Sequence, residues 1–203
     1  MQQAAYLRSV LDDLYAEGGE HDAAQPDRLR RRRNLEPDAA ALLALTTRML
    51  GARRIVEIGT SNGVSTIWLA DAARATGGRV TSVDLTLGVD VEANLTRAGV
   101  RDLVDLREAD GGAVLAELPD ASVDLLFLDS ERTEYEGWLP HPIRVVRPGG
   151  VLAVDNALAP SPDELRGFFA RIAVDDRLVS TTVPVGKGLF LAWRPVAAAA
   201  QRS

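Results

Sequence analysis

A doubly wound, mostly parallel α/β sheet is the fold class this chain predicts, on three observations. Short apolar, β-branched runs alternate with helical patterns in five successive units between Arg54 and Ala173. The first run, Ile55-Val56-Glu57-Ile58, passes into a turn, Gly59-Thr60-Ser61-Asn62-Gly63, and then into Ser65-Thr66-Ile67-Trp68-Leu69-Ala70, which opens a helix. Strand, glycine turn and helix N-terminus in that order form a nucleotide-type pocket, with glycines admitting a ligand to the backbone and free N–H groups facing its polar parts. The chain closes on Val179 to Val183 and Leu189 to Trp193, joined around Gly186-Lys187-Gly188, a link short enough to allow only an antiparallel hairpin. Right-handed crossovers must cover both faces with helices, so these units predict a seven-stranded sheet, parallel except at that hairpin.

Residues 1–33 read as a polar helical extension, with Tyr6, Leu7, Val10, Leu11, Leu14 and Tyr15 spaced for one apolar face and Gly18-Gly19 expected to break the helix. Arg30 to Arg33 is a basic run, read as a solvated helix face in preference to a phosphate site. Glu36-Pro37-Asp38 starts a helix, with proline in the first turn and acids at the positive end. It continues through Leu42, Leu43, Leu45 and Met49 to Gly51 and is expected to lean against the first strand. Arg79 to Val83 is the second strand, ending at Asp84, and Val91 to Ala98 is a helix stopped by Gly99. Val104 to Arg107 is the third strand; Asp110 precedes a helix from Gly111 to Leu118; Val123 to Asp129 is the fourth strand. Tyr135 to Val146 is helical, its first half made irregular by Pro140 and Pro142. Pro148-Gly149-Gly150 turns into the fifth strand, Val151 to Val154, which ends in Asp155-Asn156. Ser161-Pro162-Asp163-Glu164 has the form of a capping box and opens a helix to about Ala173. The tail from Ala197 to Ser203 is expected to fray.

A length of 203 residues predicts one domain, with 1–33 as an extension and 34–195 as the core. Hydrophobic residues at 46% and charged residues at 26% are ordinary for a soluble globular protein. No apolar run approaches the roughly 18 residues of a membrane span, and no basic start followed by an apolar stretch marks a signal peptide. Zero cysteines exclude disulfides, thiolate zinc sites and cysteine catalysis, which fits a cytoplasmic protein. A net charge of -6 argues against nucleic acid as a partner. Lys187 is the one lysine; every other basic side chain except the two histidines is arginine. With only His21 and His141, a histidine-centred metal site or triad is not expected.

Ligands of such sheets bind at the carboxyl ends of the strands. Glu57, Asp84, Asp129 and Asp155 each lie at or just past such an end, and Asp110 lies just beyond a fifth. Asp84 is placed to accept hydrogen bonds from ribose hydroxyls. Asp129 with Asp155-Asn156 supplies two carboxylates and an amide carbonyl, hard oxygen donors that suit Mg²⁺ and leave three octahedral positions open. The alternative for Asp155-Asn156 is a plain strand-to-loop turn.

The pattern Glu57-x-Gly59-x-x-x-Gly63 departs from the dinucleotide spacing G-x-G-x-x-G and resembles the first motif of class I S-adenosylmethionine (AdoMet) methyltransferases. That resemblance implies the loop from Gly59 through Thr60, Ser61 and Gly63 for the methionine end of the cofactor. Glu57 would suit its positive charge, and Ser65 would meet its carboxylate, although Ser65 could equally cap its helix. Asp110 would face the adenine, or equally cap the helix from Gly111. The segments Phe127 to Tyr135 and Val154 to Leu158 resemble the metal-dependent catechol and caffeoyl-CoA O-methyltransferases over a span from about Glu36 to Trp193. Carried over by position, Asp129, Asp155 and Asn156 would be metal ligands, and Tyr135 and Trp138 would stand at aromatic positions. The family usually places its lysine base where this chain has Arg132. A guanidinium cannot accept a proton, so Arg132 would instead orient an acidic substrate or stabilise a phenolate.

These implications make the expected activity Mg²⁺-assisted, AdoMet-dependent O-methylation of a small catechol-like hydroxylated acceptor. No nucleic-acid or membrane partner is expected, and a homodimer follows from the resemblance alone. Three rivals stay open: a metal-independent class I methyltransferase, a nicotinamide oxidoreductase, and a non-catalytic AdoMet sensor.

Overall fold

Seven strands form the sheet of the computed structural model, which describes residues 2–27 and 30–196: β1 (Arg54–Ile58), β2 (Arg79–Asp84), β3 (Val104–Glu108), β4 (Val123–Leu128), β5 (Val146–Val154), β6 (Val179–Val183) and β7 (Leu189–Trp193). Their order in space is β3-β2-β1-β4-β5-β7-β6. The first five run parallel, and β7 inserts antiparallel between β5 and β6. The helices are α1 (Gln2–Ala24), α2 (Pro37–Met49), α3 (Val64–Thr76), α4 (Val91–Arg97), α5 (Gly111–Glu117), α6 (His141–Val145) and α7 (Arg166–Ala173). The expected fraying of Ala197 to Ser203 lies outside the described residues.

The strands are buried on both faces because helices cover both. Side chains alternate across a strand, so Ile55, Leu125 and Phe127 join one apolar cluster with α1, α2 and α3. Val56, Ile58, Leu126 and Leu128 join a second cluster with Tyr135, Leu165 and Phe168. Each such large apolar side chain contributes about 1.5–3 kcal/mol on burial. Every residue of β4 is buried, which makes it the centre of the molecule.

Five local expectations need correction. The α1 helix runs through Gly18-Gly19 without breaking; a side chain at Gly18 would collide with the amide of Asn34, which packs there and donates to Leu14 O at 3.4 Å. The glycine admits a neighbour instead of ending the helix. Arg30 to Arg33 is an irregular strap and not a helix face; both oxygens of Asp22 hold it by accepting from Arg32 N (2.7 Å) and Arg33 N (2.9 Å). Helix α2 packs chiefly on α3 and meets β1 only within their shared apolar cluster. Strand β5 begins at Val146, with Pro148-Gly149-Gly150 inside it and a register shift opposite Val123 to Leu125. The capping box does not form: Ser161 makes no side-chain cap, Pro162–Leu165 is a short 3-10 turn, and Glu164 turns to Arg132.

Candidate active site

Strand order reverses at β1, which pairs with β2 on one side and β4 on the other, so the carboxyl ends of β1 and β4 open a crevice between them. A cavity of about 1110 Å³ lies there, walled by the glycine loop, the ends of β2 and β4, the strap at 30–33 and the β6–β7 turn.

Gly59 (φ +106°) and Gly63 (φ +89°) both need the left-handed region. A side chain at Gly59 would strike the Asp129 carbonyl, so that glycine lets the ends of β1 and β4 approach each other. At Gly63 it would press on Val91 of α4. The described lining of the cavity includes Gly59, Thr60, Ser61 and Ser65 but not Gly63, Glu57, Asp110 or Asp155. The loop N–H groups expected to be free are in part already used. Asp84 Oδ2 accepts from Thr60 N (2.8 Å) and Ser61 N (3.0 Å), so Asp84 lines the cavity and also fixes the loop.

Glu57 is fully buried behind the loop. One carboxyl oxygen accepts from Thr66 Oγ1 (2.5 Å) and Ser82 Oγ (2.6 Å), while Oε1 has no hydrogen-bond partner. Burial pushes its pKa up to about 7, against the hydrogen bonds of Ser65, Ser82 and Thr66. Helix α3 begins at Gly63 without a side-chain cap, so Ser65, at the cavity wall, does not cap it. Asp110 does cap α5, accepting from Ala113 N at 2.7 Å.

At the neighbouring strand ends the three proposed oxygen ligands meet. Asn156, itself left-handed (φ +59°), donates from Nδ2 to Asp155 Oδ2 at 2.6 Å and to Asp129 Oδ1 at 3.4 Å. Asp155 Oδ1 is buried without a hydrogen-bond partner. Burial holds both carboxyls well above the ordinary carboxylate range, with repulsion from Glu57 adding to it at Asp129 and repulsion from Asp129 adding to it at Asp155. Among the described residues no three His, Asp or Glu side chains gather as a metal cluster, so the set is two carboxyls plus an amide.

Arg132 is buried at the cavity wall. Its guanidinium pairs with Glu164 (2.6 Å) and donates to the carbonyls of Asn156 and Ala159, each at 3.4 Å. It braces the loop after β5 against the loop after β4. Tyr135 is buried and its hydroxyl accepts from Ser130 N at 2.6 Å, while Trp138, 5.1 Å away between ring centroids, reaches the cavity. His141 accepts from Arg144 Nε (2.9 Å), and His21, at the cavity wall, has Nε2 3.0 Å from Arg30 O.

Sequence reasoning gave no place in the site to three cavity residues, Arg32, Arg33 and Lys187. Arg32 pairs with Asp90 (2.8 Å) and Arg33 with Glu131 (3.0 Å), spanning the cavity from one wall to the other, and Ser61 Oγ donates to Arg32 O at 2.9 Å. Lys187 pairs with Glu36 at 2.5 Å. The available signal was the uniqueness of Lys187 in a chain otherwise furnished with arginine.

A family model described as a methyltransferase domain matches residues 56–157. Catechol O-methyltransferase of Mycobacterium tuberculosis is 35% identical, covering 76% of this chain and 70% of that one. Among solved structures, O-methyltransferase TomG of Streptomyces achromogenes, in complex with SAM, is 28% identical at a TM-score of 0.71, covering 80% of this chain and 82% of that one. The Bacillus cereus O-methyltransferase in complex with SAH is 25% identical at 0.73, covering 92% and 90%.

Proposed function

The chain belongs to the class I AdoMet-dependent O-methyltransferases, and from that premise we propose that it methylates a hydroxyl of a small, catechol-like acceptor beside a divalent cation. One observation carries the finer part. Buried Asp155 and half-buried Asp129 crowd together with an amide at adjoining strand ends, Asp155 Oδ1 has no hydrogen-bond partner, and the Asp129 carboxyl repels that of Asp155. A hard divalent cation fits that donor set, with a half-turn of the Asn156 amide presenting its oxygen.

In this reading Gly59, Thr60, Ser61 and Ser65 form the wall at the methionine end of the donor, Asp84 faces the ribose and Asp110 stands near the adenine. Asp129, Asp155 and Asn156 would hold Mg²⁺, which when bound lowers the pKa of a coordinated hydroxyl. Trp138 flanks the acceptor, and Arg132 is a positioning residue that keeps the acceptor loop in place. Held in line with the sulfonium methyl, an acceptor oxygen gains on the order of 7–11 kcal/mol from orientation in favourable cases. The same reading carries a cytoplasmic homodimer, whose stoichiometry sedimentation tests.

The deciding experiment pairs binding with turnover. Asp155→Ala should bind S-adenosylhomocysteine as the wild type does while losing methyl transfer to catechol and its Mg²⁺ requirement. Transfer untouched by chelator would leave the metal-independent reading, which the Asn156 amide, already bridging both carboxyls, keeps in play.

A further inference from the structure

We propose that Lys187, with Glu36 behind it, takes up the proton of the acceptor hydroxyl. The inference rests on the O-methylation reading above and supplies the base that reading lacks. Transfer to a hydroxyl forms a C–O bond, breaks the S–CH₃ bond with its electron pair left on the thioether, and releases the hydroxyl proton. Some group facing the acceptor must receive that proton. Arginine cannot, and the arginine nearest Asp129 in sequence is committed to Glu164 and two carbonyls.

Lys187 is the only lysine in the chain. It stands on the β6–β7 turn and lines the cavity together with Asp129 and Asn156. The turn is a fixed part of that wall. Leu158 N (2.8 Å) and Ala159 N (3.2 Å) donate to Lys187 O, and Gly186 N donates to Asp38 Oδ2 at 3.0 Å. The ammonium lies 2.5 Å from Glu36 Oε1, while Glu36 Oε2 is buried without a hydrogen-bond partner and is free to receive a proton. The charges around the pair are Glu36 and Asp38 at the start of α2, Asp129 and Asp155 at the strand ends, and Arg33 of the strap. Tyr15, pushed up to about 12 by burial and by Glu36, is no acceptor. Lys187 is an ammonium facing a carboxylate, so the step is a relay. The hydroxyl proton passes to Nζ as Nζ gives one to Glu36, leaving an oxyanion beside an ammonium and a neutral Glu36.

The test compares wild type and Lys187→Arg with AdoMet and Mg²⁺ on two acceptors, catechol and the more acidic 4-nitrocatechol. The variant should keep its melting temperature and its affinity for S-adenosylhomocysteine. It should lose about 100-fold of catechol methylation at pH 7, recover as pH rises, and lose far less with 4-nitrocatechol. Equal losses on both acceptors, or none, overturn the relay. A second readout exploits the single lysine: ¹³Cε-lysine labelling gives one side-chain resonance. Adding 4-nitrocatechol to protein holding S-adenosylhomocysteine and Mg²⁺ should shift it. If wild type methylates neither acceptor, the acceptor class of the preceding section fails. The resonance then still decides the place of Lys187: shifted, the assignment stands; motionless, it is overturned.

Discussion

Asp129 and Asp155, set side by side at adjoining strand ends, give stability a pH dependence opposite in sign to ordinary acid denaturation. A carboxyl raised in the folded state binds its proton more tightly there than in the unfolded chain. Its contribution is complete below the ordinary carboxylate range, near pH 4, and is lost as pH rises through the raised value. Glu57, at about 7, acts in the same direction. The melting temperature of metal-free protein should therefore fall between pH 5 and pH 8 more steeply than that of Asp155→Asn. Mg²⁺ at about 100 times its dissociation constant should restore ~2.7 kcal/mol to the wild type, of the order of 5–10 °C for a chain of this size, and nothing to the variant. An Asp155→Asn melting curve that still responds to Mg²⁺ would remove the metal from these ligands. Arg132 makes a separate prediction. Arg132→Met strands Glu164 and frees two loop carbonyls, so it should cost about 3 kcal/mol in urea unfolding and raise the acceptor KM, with S-adenosylhomocysteine affinity unchanged. The acids were legible because strand ends announce themselves in sequence. Glu57 as a buried anchor and Arg132 as a brace were not, since both depend on residues that only the fold brings to them.

The strap shows what was hard to read among the elements. Four consecutive arginines look like a solvated helix face, and only the anchoring of their backbone on Asp22 sets Arg32 and Arg33 across the cavity mouth. Asp90 lies before α4 and Glu131 after β4, so the two ion pairs close the strap over the glycine loop from opposite sides. In the proposed reading the cofactor lies beneath it. Partly exposed pairs contribute about 0.2–1 kcal/mol each, so Arg32→Ala with Arg33→Ala should speed S-adenosylhomocysteine release by about two- to thirty-fold. The salt dependence of the wild-type off-rate should vanish with them. Stopped-flow displacement reads both quantities, and an unchanged off-rate would make the strap a bystander. Gly18-Gly19 and the unformed capping box have a similar origin, because Asn34 and Arg132 outbid the local preference from a distance.

Across the whole molecule the sheet divides its labour by edge, and this was the most legible feature, since alternation of strand and helix dictates both topology and the edge on which ligands sit. The carboxyl edge carries the unpartnered oxygens of Glu57 and Asp155, next to left-handed Ser61 and Asn156. The amino edge is satisfied. There Asp124 of β4 accepts from Arg53 N (2.8 Å) and Arg54 N (2.6 Å) and pairs with Arg147, so one carboxylate joins the starts of β1, β4 and β5. Burial would raise this carboxyl, but the bonds from Arg147, Arg54 and Arg53 outweigh burial and hold it below the ordinary range. Its stabilisation is thus present above that range and is lost as pH falls through the depressed value. Asp124→Ala leaves two backbone N–H groups and Arg147 Nε without an acceptor, at a cost of about 3–5 kcal/mol near neutral pH. The deficit should shrink in acid, where the wild-type carboxyl is protonated. Because the residue lies at the far end of β4 from the cavity, S-adenosylhomocysteine affinity should stay within experimental error of wild type under conditions where both proteins are folded. Chemical denaturation at several pH values, read beside calorimetric binding, separates the two edges; a deficit against wild type as large at pH 3 as at pH 7, or a variant that loses the ligand while folded, would deny the division.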